Sequence, residues 1–211
     1  MYFYFEKRFT GFGKVNYYIV GEPNENPLIT IKGDIKNNNT FTYDDGQDRF
    51  EMFLGKLYSN IKKDGKISRK DAGDVNINGK DEIIYEYTKT GTNIFNGYRY
   101  FGFKFGFDDI EAITVGFNRK GLYLCIYVNG ILKAIVDKEQ EVYAYEPKYE
   151  IYAEDDVNKA MLFLATAYWD AAYWHQESAR QTMVYSTLSE EARAKYDPNF
   201  IPRIQSMRGM E

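Results

Sequence analysis

The chain has 211 residues, 44% of them hydrophobic, with 20 tyrosines, 15 phenylalanines and a formal net charge of −4. That length suits one domain with a modest appendage, so rich an aromatic content favours half-buried pleated surfaces, and the negative balance gives no footprint for broad nucleic-acid binding. The single cysteine, Cys125, excludes an intramolecular disulfide and a cysteine-based metal site.

The opening MYFYFEKRF carries charge by residue 6 and lacks the apolar core of a signal peptide, so a cytoplasmic protein is expected. Tyr2 to Arg8 reads as a strand, Gly11 and Gly13 break it, and Lys14 to Val20 reads as a second. After the turn material GEPNENP, Leu28 to Ile35 alternates with period two and pairs back as a hairpin. A short FTY strand follows, and Arg49 to Tyr58 alternates again, with Phe50, Met52 and Leu54 on one face. Residues 59–80 are the most polar stretch and read as a solvated loop with one short strand. Glu82 to Thr88 resumes the strand pattern. In YRYFGFKFGF, residues 98–107, bulky aromatics recur beside Gly102 and Gly106, as a curved sheet with close backbone approaches requires. Ile110 to Phe117 is the next strand. LYLCIYV-NG-ILKAIVD, residues 122–137, is a β-hairpin, because Asn129–Gly130 supplies both φ > 0 positions of a type I′ turn. Glu141 to Tyr145 and Tyr149 to Ala153 are two short strands around Pro147.

Ala160 to Trp174, AMLFLATAYWDAAYW, is the one long apolar run, interrupted only by Thr166 and Asp170. Val157, Met161, Leu164, Tyr168 and Ala172 make one helical stripe, while Phe163, Ala167 and Trp174 fill the opposite one. A helix apolar all round has to be enclosed. At about 1.5 Å per residue it measures about 22 Å, short of the ~30 Å hydrocarbon core of a membrane. Glu154, Asp155 and Asp156 precede it and are expected to face the positive end of its dipole. A sandwich would leave such a helix a polar stripe, whereas a closed barrel of clearly more than ~8 strands has room for it. The expected fold is therefore mainly β: a barrel of about twelve antiparallel strands over residues 1–178, closed around a central hydrophobic helix at about 156–176. Residues 179–211 form an extension, with a short helix over 189–196 after the capping-box pair Thr187 and Glu190.

Tyr123 to Lys138, Tyr149 to Asp156 and Ala160 to Asp170 resemble the end of the LURP-one-related proteins, a branch of the Tubby C-terminal-like superfamily. The early YYIVGEPNENPLITIKGD is similar to that family's first hairpin. The resemblance covers about residues 1–175 and implies a roughly twelve-stranded barrel around a central C-terminal helix. Tubby proteins bind phosphoinositides through basic side chains, but those positions do not align with this chain residue by residue. The extension runs beyond the family's usual end, and the charged 59–80 segment has no clear counterpart. The resemblance therefore implies a fold more firmly than a function.

Lys62, Lys63, Lys66, Arg69 and Lys70 offer a basic cluster for an anionic lipid headgroup. The interleaved Asp64, Asp71 and Asp74 favour the plainer reading of a solvated loop. Phe200, Ile201, Ile204 and Met207 are placed to dock on the barrel exterior or on a protein partner. The expected function is a non-enzymatic binding module for an acidic phospholipid or a protein, with no cofactor or metal implied. The alternative is an enzyme with a site at the barrel mouth, using Asp170 and His175. An open polar cavity reaching Asp170 favours the enzyme, and a filled barrel favours the binding module.

Overall fold

Side chains alternate along β1 (Tyr2–Gly11), which sends Phe3, Phe5 and Lys7 inward and Tyr2 and Tyr4 outward. The computed structural model describes residues 1–11, 14–21, 29–34, 40–54, 62–90, 97–117, 121–139, 147–174 and 189–209, the side chains of Ile29, Asp34, Lys62, Tyr173 and Trp174 excepted. The other strands of the first half are β2 (Lys14–Val20), β3 (Ile29–Asp34), β4 (Thr40–Asp44), β5 (Arg49–Phe53), β6 (Lys62–Asp64) and β7 (Ile67–Ile77). The second half supplies β8 (Lys80–Lys89), β9 (Tyr98–Phe105), β10 (Asp108–Gly116), β11 (Leu122–Val128), β12 (Ile131–Lys138) and β13 (Lys148–Ala153). All pairings are antiparallel. β13 pairs with β1, and β5 pairs with β7 in the register Phe50–Ile77 and Met52–Val75, so twelve strands close into a barrel. β6 pairs with β7 alone and stays outside the ring. Closure leaves the barrel without a free edge.

The lumen holds α1 (Lys159–Trp169), in which every residue from Ala160 to Trp169 is buried. Phe163 meets the rings of Phe3, Phe5 and Tyr43, Tyr168 lies on Phe101, and Trp169 on Tyr149. Two polar groups on the helix are satisfied locally. Thr166 donates to the Leu162 carbonyl (2.8 Å), and Trp169 Nε1 donates to Thr114 Oγ1 (3.0 Å). A π-helical turn, Asp170–Trp174, continues the helix. Among the described residues no helix is long and apolar enough to cross a membrane.

Three expectations need correction. Residues 59–80 are not mainly loop, because residues 67–77 form an eleven-residue strand. Only Gly73, Val75 and Ile77 of that strand are buried, and the polar remainder hides the alternation. The acidic run does not sit on the helix dipole. The helix starts at Lys159 behind the N-cap Asn158, with no acid in its first turn. Asp155 instead binds the Met1 amino group (2.7 Å), Asp156 binds Lys133 (2.6 Å) and Glu154 binds Arg203 (2.7 Å). Among its described residues the extension holds two helices where one was expected: α2 (Glu190–Arg193), capped by Ser189, and α3 (Phe200–Met207). Phe200 and Ile204 pack that second helix onto the barrel, so it did not have to fold alone. Glu141 to Tyr145, Thr187 and His175 lie outside the described residues.

Gly102 shows the close approach its position suggested, since a Cβ there would stand 2.6 Å from the Ile110 carbonyl oxygen. The Asn129–Gly130 turn has φ of 51° and 80°, as a type I′ hairpin requires. Gly130→Val is expected to destabilise the barrel by about 1 kcal/mol or more, because a β-branched residue resists φ > 0. The measurement is the denaturant midpoint, and an unchanged midpoint contradicts this reading of the turn.

Candidate functional site

The polar residues of the lumen collect where the central helix ends. Asp170, fully buried at the start of the π-helical turn, meets inward-facing side chains from three strands. Lys7 Nζ of β1 donates to its Oδ2 at 2.7 Å, and Tyr17 of β2 donates to the same oxygen at 2.7 Å. Tyr149 of β13 donates to Oδ1 at 2.5 Å. The Lys7 and Asp170 side chains are 1% and 0% exposed. Burial pushes the Tyr17 and Tyr149 hydroxyls well above their ordinary pKa, and the neighbouring Asp170 charge adds to the shift. Both therefore remain donors across the accessible pH range. Lys138 of β12, also buried, lies with Nζ 5.9 Å from the Tyr149 ring. Further along the same layer, Glu86 of β8 accepts from Tyr168 of the helix (3.1 Å) and pairs with Lys70 (2.6 Å).

These contacts tie the end of the helix to the wall. The Asp170 carboxylate takes three hydrogen bonds, one from a cation, which is what a buried charge needs to persist. General acid–base or nucleophilic work requires reach to a substrate proton or carbon, and Asp170 has no exposed surface. The inward Lys7 had a readable signal in MYFYFEKRF: period two sets it on the face of Phe3 and Phe5, a cation on an apolar face. Tyr17 and Tyr149 carried no such mark.

The four candidate basic residues whose side chains are described do not converge. Arg69 and Lys70 are neighbours in β7 and so point to opposite faces. Arg69 lies on the outer Tyr85 ring at 4.4 Å, while Lys70 turns toward Glu86. Lys63 and Lys66 are exposed at the β6–β7 hairpin, beside the exposed Asp64. The backbone register sets Lys62 opposite Arg69.

The outer wall carries a second, acidic feature. Asp137 of β12 and Glu150 of β13 face each other across the strands. Tyr4 donates to Glu150 at 3.2 Å, and Tyr152 donates to it as well. Burial, with Glu150 opposite, pushes the Asp137 carboxyl up to about 7. Among the described residues neither acid has a cationic partner. Phe200 and Ile204 are 1% and 2% exposed, closed against this wall with Tyr2, Ile113, Val115, Cys125, Ile135 and Tyr152; Ile201 is half-buried beside them. The structure thus places the three proposed docking residues on the chain's own barrel. Compared with protein-family models, curated proteins and solved structures, the chain matches none of them.

Proposed function

We propose that this chain is a non-enzymatic, cytoplasmic binding module of the Tubby C-terminal-like superfamily, in its LURP-one-related branch, working through its outer surface. The observation that carries this reading is the filled lumen. The space where a barrel would hold a ligand is taken by α1, and the one carboxylate on that helix is consumed by Lys7, Tyr17 and Tyr149. The twelve strands around a central helix support the family assignment, together with the segments 123–138, 149–156 and 160–170.

The β6–β7 hairpin is the surface proposed to meet an acidic phospholipid. Its β6 arm stands outside the closed ring, and the hairpin exposes Lys63 and Lys66, so its cations approach a surface without disturbing the core. Vesicles containing phosphoinositide are expected to retain the protein at low salt and release it as salt rises, because screening shortens the reach of exposed charges. Replacing Lys62, Lys63 and Lys66 together by Ser is expected to weaken retention and leave the melting temperature unchanged. If the wild-type chain fails to sediment with such vesicles even at low salt, the lipid assignment falls.

A further inference from the structure

A barrel's outer wall normally faces water, yet Ile113, Val115, Cys125 and Ile135 make this one apolar. The C-terminal segment covers it thinly. None of the twelve barrel strands pairs with it, so closure of the barrel does not depend on it. Its helices have four and eight residues, and the longer one lacks a side-chain N-cap hydrogen bond. Full burial is confined to Ala192, Phe200, Ile204 and the Ser189 cap. A cleft of about 390 Å³ opens beside Ile204, Met207 and Arg208, and another of about 430 Å³ beside Arg193, Tyr196 and Pro198. The clefts lie beside the second helix and beside the turn that joins the two helices.

Charge is complementary along the contact. The segment's Arg203 pairs with Glu154 at 2.7 Å, and Arg208 lies 5.8 Å from the Tyr2 ring. Lys195 lies 5.6 Å from the Tyr127 ring, whose hydroxyl donates to the Lys195 carbonyl (2.6 Å). One contact has the opposite sign, Glu191 with Lys89 at 2.8 Å. The match is incomplete where the wall is most acidic. Above Asp137 and Glu150 the segment offers the neutral Gln205, whose Nε2 donates to Tyr152 Oη at 3.4 Å, and Tyr152 in turn donates to Glu150. A base at the place of Gln205 would meet the uncompensated pair.

We propose that the outer wall of β10–β13 is a docking face for a basic amphipathic helix of a partner protein, and that residues 189–209 are its resident, displaceable occupant. The preferred helix carries apolar residues at the spacing of Phe200 and Ile204, an arginine matching Arg203, and a second base where this chain has Gln205. Such a helix reproduces the contacts of the resident segment and adds the cation that Asp137 and Glu150 lack among the described residues. Tethering gives the resident segment a high effective concentration, which offsets its weaker fit until a better helix arrives. This face is built from β10–β13 and the lysines of the lipid proposal from β6 and β7, so the vesicle experiment and the one below fail independently.

Cys125, the only cysteine, lies under the segment and reports its departure by reacting with an aromatic disulfide reagent in the intact, folded chain. Arg203→Glu sets a carboxylate against Glu154 at a half-exposed site and is expected to speed labelling about fivefold or more, with the melting temperature of the barrel retained. Gln205→Lys is expected to slow labelling below wild type. A synthetic peptide with the sequence of residues 189–209 and lysine at position 205 is then added to the Arg203→Glu protein, where it is expected to restore protection of Cys125. Equal labelling rates in wild type and both variants, matching the rate of global unfolding, overturn the displaceable segment. Fast labelling that the peptide does not slow overturns the docking face. Protection that rises with the concentration of the Arg203→Glu protein alone replaces the foreign helix by a second copy of the chain.

Discussion

Leu164→Asp is expected to abolish soluble expression of the chain. Leu164 is fully buried midway along α1, with barrel wall on every side, so no rotamer carries the new carboxylate to water. The buried charges at the C-terminal end of the helix, Lys7 and Asp170, are already paired with each other. Burying an unpaired ionised group costs several kcal/mol even after relaxation, against a total stability of about 5–15 kcal/mol for a domain. Leu164→Met is the matching control, since a volume-conserving apolar swap costs less than about 1.5 kcal/mol. A soluble Leu164→Asp protein with an unchanged melting temperature would show that this helix is not enclosed.

Lys7→Met is the second large effect, with an expected loss of about 3–5 kcal/mol. The substituted side chain fills much of the volume of the lysine stem, so the cost is electrostatic rather than a cavity. It leaves the Asp170 carboxyl buried without its cationic partner, held by the Tyr17 and Tyr149 hydroxyls alone. At about 2–4 °C per kcal/mol for a domain of this size, the melting temperature is expected to fall by roughly 10 °C. Calorimetry of the purified variant measures this directly, and a fall of only a degree or two would mean that the pair is hydrated.

The barrel was legible because two local signals pointed the same way. Asn129–Gly130 announced a hairpin among many strand-like runs, and the helix at 160–174 was apolar on opposite stripes, which only an enclosure explains. What stayed hidden depended on closure. Lys7 and Asp170 are 163 positions apart, and no local pattern pairs them until β13 meets β1 and the helix turns back through the lumen. The length of strand β7 was hidden because its first six residues are exposed or half-buried, leaving Val75 and Ile77 as the visible core residues. The same oversight made five basic residues look like one patch, whereas strand parity divides Arg69 from Lys70. Phe200 and Ile204 were recognisable as docking residues because they are apolar in a segment with too few such residues to fold alone. The surface they meet was not, because its acids and aliphatics come from three separate strands.

The claim that the interior serves the fold, leaving binding to the outer wall, rests on Lys7 and Asp170 being spent on each other. The most direct measurement is a double-mutant cycle of Lys7→Met and Asp170→Leu, read as unfolding free energies from denaturant titrations. Each single change is expected to be strongly destabilising, since it strands one buried partner. The double variant is expected to regain at least about 2 kcal/mol relative to the sum of the singles, because the two charges vanish together. Purely additive losses would contradict the account, placing Lys7 and Asp170 in separate roles and reopening the lumen end as a working site.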